Sequence, residues 1–239
     1  MERIILIETS TALCSTALAE NGAIVSYRES SAPKAHASLT AVFVQEMLSE
    51  RGLSLSDCDA VCVSMGPGSY TGLRVGVSTA KGLCFGSGKP LLAVGTLDTL
   101  VAQAADALAE GSDVIPSGVE GSPYRFIIPM IDARRMEVYT AVFENGRQIT
   151  GTAPAIIDEN SFAEYLAQGP CLFIGDGAGK CADVIKHPNA RFCQCQPKAS
   201  SMLEPALAAL RAGNFQDVAY FEPFYLKEFI ATVSKKKLW

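Results

Sequence analysis

The sequence predicts an α/β protein built from two related lobes, each a mixed sheet flanked by helices. Three observations carry this. Short β-branched runs alternate with stretches of helical apolar spacing along the chain. A block made of a buried strand, a terminal acid and a hairpin appears early and again in the second half. In both copies an Asn-Gly pair closes the hairpin, a dipeptide that tolerates the positive φ needed at both central positions of a tight turn.

Taken in order, residues 3–8 read Arg3-Ile4-Ile5-Leu6-Ile7-Glu8, a buried strand ending in an acid. Residues 14–20 and 23–30 form a hairpin through Asn21-Gly22. A helix is expected from Ser38 as N-cap, with Leu39, Val42, Phe43, Met47 and Leu48 at helical spacing and Gly52 placed to end it. Residues 60–65 read as a second buried strand, followed by the loop Gly66-Pro67-Gly68-Ser69-Tyr70-Thr71-Gly72 and a helix to Phe85. A strand over 91–94 and a helix over 96–109 complete the first lobe. Residues 111–124 are rich in Gly, Ser and Pro and read as a linker or exposed loop.

The pattern then restarts. One constant shift lays Glu8 on Asp132, Thr16 on Thr140, Ala17 on Ala141, Glu20 on Glu144, Asn21 on Asn145 and Gly22 on Gly146. A helix near 161–167, a strand over 171–175 and the loop Gly175-Asp176-Gly177-Ala178-Gly179-Lys180 follow. The expected division is 1–109 for the first lobe and 110–221 for the second, with 222–239 crossing back onto the first. This duplication is the plan of the actin-like (ribonuclease H-like) superfold of actin, sugar kinases and heat-shock ATPases. There an acid ends the first strand of each lobe, and turns cradle phosphates in the cleft between them. The plan alone does not establish activity.

Composition narrows the class. The chain has 239 residues, 49% of them hydrophobic, which is enough for one large domain or two modest lobes with real cores. A formal net charge of −5 lacks the broad positive field of a stand-alone nucleic-acid binder. The basic run Lys235-Lys236-Lys237 reads as a solvated tail, or as an RNA contact within a larger complex. The apolar run 3–7 is too short for a signal peptide, and nothing approaches a membrane span. The eight cysteines sit mostly in apolar runs, as free thiols of a reducing compartment do, so a cytoplasmic protein is expected.

The loop from Gly66 to Gly72 is the sharpest local signal. Gly66, Gly68, Ser69, Thr71 and Gly72 can aim backbone amides at an anion or nucleotide, with Ser69 or Thr71 capping the next helix. The same residues also suit a rigid strand-to-helix turn that merely positions the helix. Along that helix Gly72, Gly76, Ala80 and Cys84 make a small-residue stripe, while Leu73 and Val77 make an apolar face. With Leu39, Val42, Phe43 and Met47 they form the candidate partner interface; packing on the protein's own sheet is the competing reading. Gly175 to Lys180 lacks the first glycine of a Walker loop, and Cys181 stands where that motif has Ser or Thr. Glu8 and Asp132 are candidate cleft acids, able to hold magnesium or simply solvated. His36 and His187 have no paired spacing, and Cys193-x-Cys195 lacks zinc-finger spacing, so no catalytic residue and no metal ligand is assigned.

Four stretches resemble the bacterial TsaB family. They are Ile7-Glu8-Thr9-Ser10-Thr11, the loop and helix start from Gly66 to Gly76, Ile131-Asp132-Ala133-Arg134-Arg135-Met136-Glu137-Val138-Tyr139, and Glu222-Pro223-Phe224-Tyr225-Leu226. The resemblance implies a non-catalytic activator that pairs with its paralogue TsaD through the two first-lobe helices. TsaD carries the metal and transfers threonylcarbamoyl to the adenosine beside the tRNA anticodon. The chain itself would need no cofactor, since metal and the ATP-derived substrate belong to the partner. The ATPase TsaE and tRNA would join through the complex, and the isolated chain can form a homodimer. The paralogue's His-x-x-x-His pair is missing, since Thr40 lies four residues after His36. Glu8 stands where Asp is commoner and Tyr70 where Phe is commoner, and the former weakens intrinsic magnesium-nucleotide binding. The alternative is an ATP-dependent phosphotransferase or ATPase using Glu8, Asp132 and the Gly66–Gly72 loop. A peptidase would have to recruit His36 or His187.

Overall fold

The computed structural model describes residues 2–109 and 124–227. Most of the 111–124 stretch, and everything after 227 including Lys235 to Lys237, lies outside the described residues. Two mixed sheets form the framework. The first contains β1 (Arg3–Glu8), β2 (Cys14–Glu20), β3 (Ala23–Ser30), β4 (Ala60–Gly66) and β5 (Leu91–Gly95), in the order β3-β2-β1-β4-β5. The second contains β6 (Phe126–Asp132), β7 (Glu137–Thr140), β8 (Phe143–Glu144), β9 (Arg147–Gln148), β10 (Ala153–Ile156), β11 (Cys171–Gly175) and β12 (Ala190–Gln194). Its main path is β10-β7-β6-β11-β12, with β8 pairing β6 and β9.

The duplication is real at the level of pairing. β1 and β6 each take an antiparallel neighbour on one side and a parallel strand on the other. Each ends in the acid that the sequence repeat aligned. Both hairpin turns are of the expected kind, with φ of 51° and 81° at Asn21 and Gly22 and of 50° and 72° at Asn145 and Gly146.

The helices are α1 (Ala35–Glu50), α2 (Tyr70–Ser87), α3 (Thr96–Ala109), α4 (Ala163–Leu166), α5 (Ala178–Cys181) and α6 (Leu203–Arg211). Helix α1 starts earlier than expected. Ser38 is not its N-cap but lies inside the helix, its hydroxyl donating back to the Lys34 carbonyl at 3.0 Å. The end is as expected, with Gly52 at φ 64° just past the helix.

Strand alternation dictates what must cover the first sheet. Ile5 and Ile7 of β1 face one way and meet Val44, Met47 and Leu48 of α1 and Val77, Ala80 and Cys84 of α2. Ile4 and Leu6 face the other way and need a second apolar cover. Ala199, Met202, Ala206 and Leu207 supply it. Contact with the first sheet thus begins at residue 199, ahead of the 222–239 segment expected to cross back. Gln216 then pairs with Leu91, and Phe224 donates its N–H to the Met65 carbonyl at 2.7 Å. Helix α3 turns Leu97, Leu100 and Ala104 onto Ile127, Ile131, Leu172 and Ile174 of the second sheet, tying the two lobes together.

Candidate functional site

The glycines of the Gly66–Gly72 loop and of α2 answer to close contacts within the chain. A Cβ on Gly68 would overlap the Ser10 carbonyl, one on Gly72 the Thr9 carbonyl, and one on Gly76 the Thr9 hydroxyl. The Thr9–Ser10 backbone at the end of β1 thus lies in the groove that these three glycines leave along α2. Hydrogen bonds lock it there: Ser69 N–H donates to the Ser10 carbonyl at 2.6 Å, and the Thr9 hydroxyl donates to the Gly72 carbonyl at 2.9 Å. The Ser69 side chain caps α2 by accepting from Gly72 N–H at 3.3 Å. The amides of Ser69 and Gly72 are therefore committed internally, which favours the rigid turn over the anion cradle. Gly66 lies under the Phe224 carbonyl, with Thr71 and Ser69 exposed at the helix start.

The second lobe repeats the device. A Cβ on Gly175 would overlap the Met130 carbonyl, to which Gly177 N–H donates at 3.0 Å. Gly179 N–H donates to the Gln194 side chain at 2.6 Å. The loop after β11 is a turn, as its missing Walker residues indicate.

Glu8 sits sealed beneath the keyed segment. It is fully buried, and one carboxylate oxygen accepts Ser10 N–H at 2.6 Å. Burial is the main influence and raises its pKa to about 7; hydrogen bonds from Ser10 and Ser64 work against that. Asp132 is placed differently. It faces the interlobe cleft, accepts Arg134 N–H at 3.0 Å and forms an ion pair with Lys180. The two acids are thus not a matched pair: one is enclosed, the other neutralised. Among the described residues there is no group of three His, Cys, Asp or Glu side chains able to hold a metal ion. His36 meets the Thr11 carbonyl at 2.9 Å, and His187 accepts the Asn189 N–H at 3.1 Å, so each histidine answers to backbone rather than to a nucleophile.

The candidate interface residues divide. Met47, Leu73, Gly76, Val77 and Ala80 are buried within the first lobe. Leu39 and Phe43 are half-buried, and Val42 is 40% exposed. The apolar spacing identified two packable helices, but the face it marked on α2 is the inward one. The outward face of α2 carries Arg74, Ser78, Gly82 and Phe85, and Phe85 is 86% exposed. Sequence reasoning overlooked Phe85 because it falls at the helix end, outside the apolar stripe.

Between the lobes lies an open cleft of about 1170 Å³. Its first-lobe wall is Ser10, Thr11, His36 and the loop from Pro67 to Thr71; its second-lobe wall is the turn from Asp132 to Glu137. The returning segment 224–227 lines one side. Two features there involve residues to which sequence reasoning assigned no role. Arg134 and Arg135 both adopt left-handed backbone, with φ of 72° and 51°. Tyr70 packs on Tyr225 with ring centroids 4.8 Å apart, and the Arg74 guanidinium lies 5.0 Å from the Tyr70 centroid.

Comparison with known proteins agrees with this geometry. The family profile described as TsaD, tRNA N6-adenosine threonylcarbamoyltransferase, matches residues 29–234. The tRNA threonylcarbamoyladenosine biosynthesis protein TsaB of Escherichia coli strain K12 is 31% identical over 237 residues, covering 96% of either chain. The tRNA N6-adenosine threonylcarbamoyltransferase of Paracoccus denitrificans is 35% identical over 100 residues, 42% of this chain and 25% of that one. A solved Pseudomonas aeruginosa protein described as similar to the peptidase YeaZ superposes with a TM-score of 0.80 at 26% identity, covering 95% of this chain and all of that one. The match over 96% of either chain and the duplicated fold lead to one conclusion: the chain belongs to the TsaB family of tRNA threonylcarbamoyladenosine biosynthesis proteins.

Proposed function

We propose that the chain is a partner subunit of a TsaD-type threonylcarbamoyltransferase, supporting the modification of adenosine in tRNA without performing the transfer itself. The observation that carries this is the keyed segment. Thr9 and Ser10 fill the glycine groove of α2 and enclose Glu8, where a phosphotransferase of this fold needs an accessible acid and free loop amides. That arrangement speaks against the ATPase or phosphotransferase alternative. Metal and the ATP-derived substrate then belong to the catalytic partner, and this chain carries no cofactor of its own. The outward faces of α1 and α2, with Val42, Phe43 and Phe85, are the docking surface for that partner. TsaE and tRNA join the assembled complex, and the same faces allow a homodimer when the partner is missing.

The test mixes this protein with its TsaD counterpart and follows mass by light scattering during gel filtration, with transfer activity measured on the same fractions. A stable heterodimer whose activity requires both chains supports the reading. Transfer by the catalytic chain alone at the full rate overturns it, as does ATP turnover by this chain that Glu8→Ala abolishes.

A further inference from the structure

The interlobe cleft holds a set of groups that the partner role leaves unused. Arg134 and Arg135 are exposed on the turn between β6 and β7, and neither has an ion-pair partner among the described residues. Of the acids lining the cleft, Asp132 is compensated by Lys180 and Glu137 by Lys227, while Asp176 accepts the Asp132 N–H at 2.8 Å. Consecutive left-handed residues without glycine are disfavoured by steric contact of Cβ with the backbone, by about 1–2 kcal/mol each. The turn is nevertheless held, because Asp132 accepts Arg134 N–H at 3.0 Å and Glu137 N–H donates to the Arg134 carbonyl at 3.1 Å. The two guanidinium groups thus stand uncompensated beside a cleft on an otherwise acidic protein.

Across the cleft stands a stacking platform. The Tyr70–Tyr225 pair lines the same space, and Arg74 lies over Tyr70. Thr11, 5% exposed, also lines this cleft, and its buried hydroxyl has no hydrogen-bond partner among the described residues. Arginines with aromatic rings and a free hydroxyl are the groups that take a sugar-phosphate strand with an unstacked base. A nucleoside triphosphate is the poorer fit. Its clustered charge calls for loop amides and a metal-binding acid, and here the amides of Ser69 and Gly72 are committed and Glu8 is enclosed.

We propose that this cleft is a direct contact for the substrate tRNA, with Arg134 and Arg135 on backbone phosphates and the Tyr70–Tyr225 pair stacking an unpaired base. The inference rests on the partner-subunit reading, since the RNA is delivered in the complex with the catalytic chain. Single phosphodiester charges match isolated guanidinium groups. The net charge of −5 opposes a general attraction for polyanions, so the contact orients the RNA instead of gathering any polyanion.

The experiment uses the complex of the full chain with its catalytic partner and unmodified tRNA. The double variant Arg134→Asn/Arg135→Asn removes both charges while keeping residues that tolerate left-handed backbone. Two lost phosphate contacts should lower the slope of log affinity against log salt by about 1.4 and weaken tRNA binding roughly tenfold, as a rise in KM for tRNA. Tyr70→Leu, which keeps an apolar contact but no ring of its own, should weaken binding about tenfold with the salt slope unchanged. Unchanged tRNA affinity and salt slope in the double variant, in a complex whose activity still requires this chain, overturn the tRNA contact and leave the partner role standing. Transfer that proceeds without this chain overturns both. If the double variant instead loses AMP binding measured on the chain alone while KM for tRNA holds, the cleft takes a free nucleotide and the tRNA assignment falls.

Discussion

Replacing Gly72 by Ala in α2 should destabilise the protein, whereas the same change at Gly82, ten positions along the same helix, should stabilise it. At Gly72 the new methyl would overlap the Thr9 carbonyl, which belongs to backbone and cannot rotate away. Overpacking of this kind costs about 1–3 kcal/mol, and disturbing the Thr9 hydroxyl bond to the Gly72 carbonyl adds about 1 kcal/mol. Against this stands the gain in helix propensity from Gly to Ala, about 1 kcal/mol at most. The net is a loss of about 2 kcal/mol, or a Tm lowered by about 4–8 °C for a chain of this size. At Gly82 a Cβ meets nothing within 4 Å, so only the propensity gain operates, raising Tm by about 2 °C. Circular dichroism melts of the two variants beside the wild type measure both shifts. If Gly72→Ala melts at or above the wild type, the glycine groove does not hold the Thr9–Ser10 segment, and the argument that Glu8 is sealed loses its support.

Two further outcomes follow from burial. Glu8→Gln should be stabilising at neutral pH and not in acid. Burial raises the folded-state pKa from 4.5 to about 7, so the stability associated with the protonated carboxyl is present below pH 4.5 and is lost as pH rises through 7. The advantage of glutamine should therefore grow between those values and level off, at about 3 kcal/mol or less; denaturant melts giving a pH-independent difference would refute it. Val77→Asp should unfold the first lobe, since Val77 is 4% exposed within its core, whereas Val42→Asp, at a side chain 40% exposed on α1, should melt near the wild type and weaken pairing with the catalytic chain. Far-UV melts and light scattering of the mixed chains separate the two; a folded Val77→Asp protein that merely fails to pair would return α2's apolar stripe to the interface.

Much of the architecture was legible because it is local. Asn-Gly closes a hairpin through the conformational freedom of those two residues alone, so both turns and the in-register repeat around them could be read directly. Short apolar runs likewise marked β1, β4 and β11, and the glycine past α1 marked its end. The family resemblance rested on the same contiguous stretches.

What only the tertiary structure decided is direction. Helical periodicity says that α2 has an apolar stripe and a small-residue stripe, but not which neighbour each will meet. That choice was made by Thr9 and Ser10, more than 60 residues away, whose backbone fits only where side chains are absent. The same long-range contact turned Val77 inward, enclosed Glu8, and converted a loop that resembled a phosphate cradle into a lock on the end of β1. The return of residues 199–211 to the first sheet has a similar cause. Strand alternation leaves Ile4 and Leu6 facing away from α1 and α2, and the chain order of whatever covers them is invisible until the sheet exists. Arg134, Arg135, Tyr70 and Tyr225 converge for the same reason: three separate stretches of chain meet only once the two lobes close on a common cleft.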